Sequence, residues 1–449
     1  MSSERTSAAL KLAGDTRSVT TGSGVLSRVD EVFAETFGNA AAVVVADGKT
    51  WEAAGQQVQE QLETAGRTLR EAYVFPGEPT LYAEYGNITT LAESLRGHDA
   101  IPVAVGAGTL NDIVKRAAHE TDRPYMVVGT AASMDGYTSF GAAITKDGYK
   151  QTLSCPAPRA VLADLDVLTA APAEMTQSGY ADLLAKIPAG ADWIVADAME
   201  VEKIDDRVWD LVQGPLREAT GRPAELHAGD ARAMDDLIEG LMMAGLAMQV
   251  AGGSRPASGA EHYFSHLWEL EHLAHASHGF KVGIGSISIA AFYERLLQRD
   301  LSDLDVDAVV SAWPTWDEVE REVKAAHQTP GLDEAAVRES RAKYIDADAL
   351  RDRLELLRER WPTLRDRLAE QILTPDELAD RLRAAGCPTT PTEIGLSITD
   401  LKETYRRARM IRSRYTALDL AHEAGVREEI VEELFAPGGY WAREAVSPA

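Results

Sequence analysis

The chain has 449 residues, enough for two or three domains with a large core, and its 45% hydrophobic and 26% charged residues are typical of a globular protein. Its 71 acidic and 45 basic residues give a formal net charge of −26, which argues against nucleic acid or an anionic membrane as a partner. The same charge would repel a phosphorylated substrate, so a phosphate site would need arginine, lysine or backbone amides nearby. Two cysteines, Cys155 and Cys387, are typical of a reducing compartment. The polar residues 1–21 and the lack of a membrane-length apolar run predict a cytoplasmic location.

Short apolar runs alternate with amphipathic stretches in the first third of the chain. Strands are predicted over residues 40–46, 71–75, 101–105 and 124–128, helices over 51–65, 88–95 and 109–120, and further extended pieces over 142–168. Strand, glycine-bearing turn and helix in repetition indicate βαβ units and a parallel sheet buried on both faces. We therefore predict an α/β nucleotide-binding domain over residues 19–170.

Helical periodicity replaces this pattern from about residue 171. Helices are predicted over residues 234–248, 287–297, 350–360 and 399–417. The prediction is an all-helical domain over residues 171–335, followed by a helical C-terminal extension over residues 336–449 that packs on it.

Two turns and one acidic residue are candidates for binding a nucleotide. The turn from Gly106 to Asp112 lies between a predicted strand and helix, where backbone amides can face a pyrophosphate. Asn111 stands where the dinucleotide fingerprint has its third glycine, so an ordinary tight turn is an equal alternative. Asp47 ends the first strand, where a carboxylate can bind ribose hydroxyls and favour NAD, although it could simply cap a helix and Lys49 could offset its charge.

A second polar turn, residues 129–139, and a group of histidines complete the candidate site. The turn is rich in small and hydroxyl side chains, which suit the surroundings of a nicotinamide and substrate, although a solvated loop is an equal alternative. Five of the ten histidines fall between His262 and His278. Imidazoles with a carboxylate bind borderline metals and leave positions open for substrate, whereas the alternative is a histidine-rich, partly solvated helix. His262 and His266 are four residues apart and share a helix face.

These segments together resemble one family. VGAGTLNDI, TAASMDGYTS, GYADLLAK, SRPASGAEHYFSHLWE and HGFKVGIG occur in the order seen in bacterial glycerol-1-phosphate dehydrogenases, which are similar to iron-containing alcohol dehydrogenases, glycerol dehydrogenases and dehydroquinate synthases. The resemblance spans residues 19–425, whereas residues 1–18 have no counterpart. It implies one divalent metal ion, zinc or nickel in preference to iron, together with NAD or NADP and a homodimer.

The resemblance also implies roles for individual residues. The implied metal ligands are Asp182, His262 and His278, with His266 beside the metal in proton transfer and Asp135 beside the substrate. The implied cofactor-binding residues are Asp47, Gly106, Gly108, Thr109, Asp112, Thr130, Ser133 and Ser139. Arg255 and Ser258, just before the ligand helix, are candidates for the substrate phosphate, although a loop arginine paired with a surface carboxylate is an equal alternative.

The implied reaction is the reduction of dihydroxyacetone phosphate to sn-glycerol 1-phosphate. A dehydrogenase for another polyol or ketose phosphate stays open, as does a cyclase similar to dehydroquinate synthase. The cyclase is less favoured, because the central region is poor in the lysines that its carboxylated substrate would need. A nucleotide-binding scaffold with a relic site ranks last, since all three ligand residues are present.

Overall fold

Eight strands are found in the computed structural model, which describes residues 4–146 and 149–444. They are β1 Ser18–Gly22, β2 Ala42–Asp47, β3 Tyr73–Phe75, β4 Ile101–Gly106, β5 Met126–Gly129, β6 Ala142–Lys146, β7 Tyr149–Leu153 and β8 Ala160–Asp164. Six of them form one sheet in the order β1-β8-β5-β4-β2-β3, and every pairing in it is parallel. Strands β6 and β7 pair separately and antiparallel. The predicted parallel sheet is confirmed.

Burial explains why these runs become strands. All five residues of β8 are buried, as are the first five of β2, which a sheet covered on both faces requires. A cluster of apolar side chains from β2, β4, β5 and β8 packs against helix residues such as Val29, Phe33 and Val58. Cys155 and Cys387 are both buried, and they do not form a disulfide bond.

Helices alternate with the strands in the first part of the chain, and almost all regular structure after β8 is helical. The first twelve are α1 Glu4–Leu12, α2 Val29–Phe37, α3 Gly48–Thr50, α4 Gln56–Thr64, α5 Tyr85–Arg96, α6 Gly108–Glu120, α7 Leu165–Ala170, α8 Ala173–Leu184, α9 Lys186–Ala198, α10 Asp206–Ala219, α11 Pro223–His227 and α12 Ala231–Ala251. The others are α13 Ala260–Leu270, α14 His278–Leu297, α15 Val306–Ser311, α16 Trp316–Ala326, α17 Leu332–Lys343, α18 Ala347–Gln371, α19 Pro375–Ala384, α20 Ile398–Arg407, α21 Ala417–Glu423, α22 Arg427–Phe435 and α23 Tyr440–Glu444. Within residues 4–146 and 149–444, no helix is long and apolar enough to cross a membrane.

The chain divides into two compact units. The first is Met1–Leu183 with Arg207–Ser254 and contains all the strands described above, and the second is Leu184–Asp206 with Arg255–Ala449 and is helical where it is described. The three domains predicted from the sequence, with boundaries after residues 170 and 335, stay a prediction.

One expectation needs correction, and one strand was missed. The segment 399–417 was predicted as one helix, but α20 ends at Arg407, a short 3₁₀ turn covers Ala408–Ile411, and α21 begins only at Ala417. The break occurs because Thr416 and Asp419 form a reciprocal capping box that starts a new helix. Strand β1 was not predicted, although it extends the sheet by pairing with β8.

Candidate metal centre and cofactor loops

The two turns predicted to contact a cofactor leave the sheet side by side. Gly106 at the end of β4 and Gly129 at the end of β5 are register partners, and the Thr130 amide donates to the Gly106 carbonyl at 3.2 Å. Strand β2, which ends at Asp47, pairs with β4 on its other side. The carboxyl ends of parallel strands form the usual ligand crevice of an open α/β sheet. The predicted cofactor residues therefore lie at the edge where a nucleotide binds in such folds.

Helix α6 is built to hold the second turn close. A Cβ on Gly106 would lie 2.4 Å from the Leu110 side chain, which explains the glycine at this position. The buried Asn111 carboxamide donates to the Gly136 carbonyl at 3.2 Å and accepts from the Tyr125 hydroxyl at 2.9 Å. Asn111 replaces the third fingerprint glycine because its side chain links the two turns.

Asp47 caps the helix that follows β2. Its Oδ1 accepts from the amides of Lys49 and Thr50, both at 2.9 Å, and the Thr50 hydroxyl accepts from the Asp47 amide. The capping alternative is therefore observed, and ribose binding stays a prediction. The Lys49 Nζ atom lies 3.0 Å from Glu78 Oε1 at the surface, so the positive charge of Lys49 is partly offset.

Lys115 stabilises the second turn through its buried ammonium group. Its side chain is fully buried and its ammonium donates to the carbonyls of Gly136, Ser139 and Gly141 at 3.0–3.1 Å. Asp112 Oδ1 lies 3.6 Å from the same ammonium. A buried charge is tolerated because three carbonyls and a carboxylate surround it. Lys115 and Asp112 thus fix the backbone of the loop.

We expect Lys115→Met to destabilise the protein by about 2–4 kcal/mol, because three buried carbonyls lose their donor. Urea unfolding measures this change, and the KM for the nicotinamide cofactor should rise with it. Lys11→Met removes an equal charge from an exposed position of α1 and serves as the control. Equal stability of the two variants would contradict the support that we assign to Lys115.

The second turn also contacts the helix that carries Asp182. Asp182 is fully buried in α8, and its Oδ2 accepts from the Asp135 amide at 3.0 Å. Gly179, one turn earlier, lies so close to the loop that an added Cβ would be 1.9 Å from the Ala132 carbonyl oxygen. The Ser133 carbonyl accepts from a serine hydroxyl of α8 at 3.3 Å. The loop therefore orients the carboxylate that was predicted as a metal ligand.

Three of the five clustered histidines form a ring group, and two do not. His262 and His266 lie in α13, and His278 begins α14. Their ring centroids are 5.5 Å (His262 to His278), 6.0 Å (His262 to His266) and 6.2 Å (His266 to His278) apart. His272 and His275 are exposed. The structure thus separates the predicted site histidines from their neighbours in the sequence.

The predicted ligand set forms a group able to hold a metal ion. Asp182, His262 and His278 each offer one ligand atom, and these atoms all lie within 4.8 Å of one another. One carboxylate and two imidazoles are a donor set used for zinc, nickel and ferrous ions. The residues present therefore fit a divalent cation of this class.

A glutamate holds each of the two ligand histidines. The Nδ1 atom of His262 lies 2.8 Å from Glu261, and that of His278 lies 3.2 Å from Glu269. Glu261 is fully buried and also accepts from the Gly259 amide at 2.7 Å. Carboxylates in this position fix the tautomer and orientation of a metal-binding imidazole. With Nδ1 held in this way, each ring would offer Nε2 to a metal ion.

His266 is partly buried next to these two rings and differs from them. Its Nδ1 has no hydrogen-bond partner within the described parts of the chain. Burial holds the pKa of His266 well below its usual value, so the ring is neutral near pH 7. The geometry suits a group that takes part in proton transfer and does not ligate the metal.

Comparison with known proteins places this geometry in a family. Residues 20–172 match the family model of the iron-containing alcohol dehydrogenases. The glycerol-1-phosphate dehydrogenase of Geobacillus stearothermophilus is 30% identical over 387 residues, which are 85% of this chain and 86% of that protein. The chain belongs to the glycerol-1-phosphate dehydrogenase family. The glycerol-1-phosphate dehydrogenase of Halalkalibacterium halodurans is 36% identical over 263 residues, which are 58% of this chain and 66% of that protein.

Solved structures agree on the fold of this glycerol-1-phosphate dehydrogenase family member. Glycerol dehydrogenase from Schizosaccharomyces pombe matches with a TM-score of 0.60 at 16% identity, over 97% of this chain and 95% of that one. Sulfoacetaldehyde reductase from Bifidobacterium kashiwanohense, solved in complex with NAD+, matches with a TM-score of 0.56 at 15% identity, over 93% and 98%.

In this family member, we expect Glu261→Gln to lower metal affinity by about 10–100-fold, because an amide is a weaker partner for the imidazole. Competition with a chromophoric chelator measures the affinity. Glu294→Gln removes a carboxylate elsewhere in the same helical unit, on α14, and is the matched control. Unchanged affinity in Glu261→Gln would contradict the assigned role.

Arg255 and Ser258 lie in the approach to α13, as predicted, but their contacts are internal. The Arg255 side chain is buried, and its guanidinium donates to the carbonyls of Asp192 at 2.9 Å and Tyr415 at 3.0 Å. Its Nε lies 3.3 Å from Glu202. Burial lowers the pKa of Arg255, and Glu202 opposes that effect. The structure favours a positioning role for Arg255 over phosphate binding.

Three residues at the site were not singled out from the sequence. Glu261 and Glu269 lie next to or near the ligand histidines in the sequence, and that proximity was the available signal. Lys115 follows Asp112 and Asn111 by three and four residues on the buried side of α6, and this grouping of polar residues on one helix face was the available signal.

Proposed function

We propose that this chain is a metal-dependent oxidoreductase that reduces dihydroxyacetone phosphate to sn-glycerol 1-phosphate with NADH or NADPH. The observation that carries the proposal is the group formed by Asp182, His262 and His278. Family membership supports it, because the relatives carry the name glycerol-1-phosphate dehydrogenase, NAD(P)+.

The chemistry of ketone reduction suggests a role for each residue of the site. A bound divalent cation supplies Lewis-acid polarisation of the ketone, and a nicotinamide supplies hydride. Asp182, His262 and His278 would hold the cation, while Glu261 and Glu269 orient the two imidazoles. Hydride brings two electrons and one hydrogen nucleus, so the product hydroxyl needs one further proton. His266, neutral and partly buried, would relay that proton from solvent through its ring nitrogens.

The loop that contains Thr130, Ser133, Asp135 and Ser139 would position the nicotinamide and substrate. The Asp135 amide orients Asp182, so cofactor loop and metal ligand are linked through one hydrogen bond. Gly106, Gly108 and Thr109 would face the pyrophosphate at the start of α6. Asp112, predicted as a further cofactor residue, is instead buried against Lys115 and accepts from the Ala143 amide, so it supports the loop.

Finer assignments belong to the same proposal. We assign zinc or nickel, because two imidazoles and one carboxylate suit borderline metals, and hydride transfer needs no redox change at the cation. Asp47 favours NAD over NADP, because a carboxylate repels a 2′-phosphate. The homodimer and the cytoplasmic location rest on the family resemblance and on the sequence.

The test is turnover by protein that has been stripped with a chelator and reloaded with zinc, nickel or ferrous ion. NADH and NADPH oxidation would be followed with dihydroxyacetone phosphate, and the product identified with an enantiomer-specific assay. We expect metal-restored turnover that yields sn-glycerol 1-phosphate. Bound metal and cofactor without turnover would overturn this substrate and favour another ketose phosphate or cyclase-like chemistry.

A further inference from the structure

Arg412 lies in the break between α20 and α21, on a segment that is fixed to the histidine helix. Its backbone is extended, with φ −149° and ψ 145°. Two residues on, the Arg414 guanidinium donates to the Ser258 carbonyl at 2.8 Å, and the Tyr263 hydroxyl donates to the Arg414 carbonyl at 3.2 Å. Ser258 lies just before α13 and Tyr263 within it, so the segment runs along the helix that carries His262 and His266.

Arg412 has an uncompensated charge. Within residues 4–146 and 149–444 it makes no ion pair, and its Nη1 donates to the Ile411 carbonyl at 2.9 Å. Nearby arginines behave differently: Arg406 pairs with three glutamates, and Arg407 pairs with Glu271.

Arg412 lies close to the candidate site, because the segment that carries it is hydrogen-bonded to the start of α13 through Arg414. Burial is the main cause of the lowered pKa of His266, and the positive charge of Arg412 is the next. The Arg412 side chain is partly exposed, so a ligand from solvent can reach it.

Two other cations of the helical unit, Lys281 and Arg255, already have carboxylate partners. Lys281 lies 2.9 Å from Glu269. Arg255 donates to two carbonyls and lies 3.3 Å from Glu202. Arg412 differs from both, because its guanidinium has no carboxylate partner among the residues that the structure describes.

We propose that Arg412 binds the phosphate group of the substrate beside His266 and thereby selects phosphorylated over plain ketoses. The guanidinium can form two parallel hydrogen bonds to phosphate oxygens, and a partly buried position strengthens such charge-assisted bonds. The assignment rests on the proposed function, since it names the residue that recognises the anion of the same substrate. It also supplies the local positive charge that a net charge of −26 demands.

Arg412→Met and Arg412→Lys test this assignment with dihydroxyacetone phosphate and dihydroxyacetone as paired substrates. We expect Arg412→Met to raise the KM for the phosphorylated ketose about 10–100-fold, because one charge-assisted contact is lost. The KM values for dihydroxyacetone and NADH should stay unchanged, and Arg412→Lys should restore part of the loss. Arg406→Met removes the same charge from a surface ion-pair network and is the matched control.

A second measurement does not depend on turnover. Inorganic phosphate should raise the Tm of the wild-type protein above the value in chloride of equal ionic strength, and Arg412→Met should lose that increase. Equal phosphate shifts in both proteins would overturn the role of Arg412. So would a KM increase confined to NADH, or one that is equal for both ketoses. Wild-type protein that fails to reduce dihydroxyacetone phosphate, yet shows the Arg412-dependent phosphate shift, would overturn the proposed substrate and support the anion site.

Discussion

His278→Ala is expected to lose the bound metal and to lower kcat/KM by at least about 10³-fold, since Lewis-acid polarisation contributes several kcal/mol to such reactions. The variant removes one of the three donors that lie within 4.8 Å of one another. His278 keeps 32% of its side-chain surface exposed, so its truncation leaves a smaller packing defect than truncation of the more buried His262 would. Elemental analysis of the purified protein and steady-state kinetics measure the two effects.

The control for His278→Ala is a histidine from the same stretch that the structure places away from the ring group. His275→Ala fits, because His275 is exposed and its backbone amide, which the substitution keeps, donates to the Ile394 carbonyl. It should retain metal and activity. Full metal content in His278→Ala would mean that the ion is held by other residues. Low metal in both variants would instead indicate damage to the α13–α14 connection.

The sequence carries enough information for the sheet because its strands are buried on both faces. Runs such as AAAVVVA before Asp47 have to be strands between two helical layers, and the glycine at the end of β4 has to be a close turn. The histidine pair His262 and His266 was readable as one helix face, and both lie in α13 as expected. These features depend on local periodicity, which a sequence displays directly.

Some residues of the site cannot be predicted from local sequence periodicity, because their roles depend on tertiary contacts. Asp182 is one of 71 acidic residues, and nothing local marks it, because its role depends on the Asp135 amide 47 positions earlier. The role of Lys115 depends on three carbonyls more than twenty residues away. Arg412 was hidden within a segment predicted as one helix, since the charge pattern of residues 399–417 is continuous while the capping box at Thr416 breaks the backbone.

Gly179→Ala should have the largest effect of any single methyl group in the first unit. The added Cβ would lie 1.9 Å from the Ala132 carbonyl oxygen and 2.8 Å from its carbonyl carbon. Both are backbone atoms, so no side chain can rotate away, and helix α8 or the loop at residues 129–139 has to move. Overpacking of this kind costs about 1–3 kcal/mol, and more where the backbone is held on both sides.

Movement of the loop would also affect catalysis, because Gly179 and Asp182 share one face of α8. The loop packs on the glycine and donates its Asp135 amide to the aspartate, so a shift of the loop breaks the bond that orients this carboxylate. A displacement of about 1 Å at a reacting centre can cost about 10²-fold in rate. We therefore expect Gly179→Ala to lower kcat/KM by at least about 10²-fold, with weaker metal binding, beyond what its loss of stability explains.

Gly86→Ala is the matched control, because Gly86 is an exposed glycine of α5 with no atom within 4 Å of an added Cβ. Alanine is the better helix former, so this variant should be more stable than the parent by about 0.5–1 kcal/mol and fully active. Chelator competition, urea unfolding and steady-state kinetics on both variants separate packing from function. If Gly179→Ala bound metal and turned over substrate like Gly86→Ala, the contact between the loop and α8 could not be what positions Asp182.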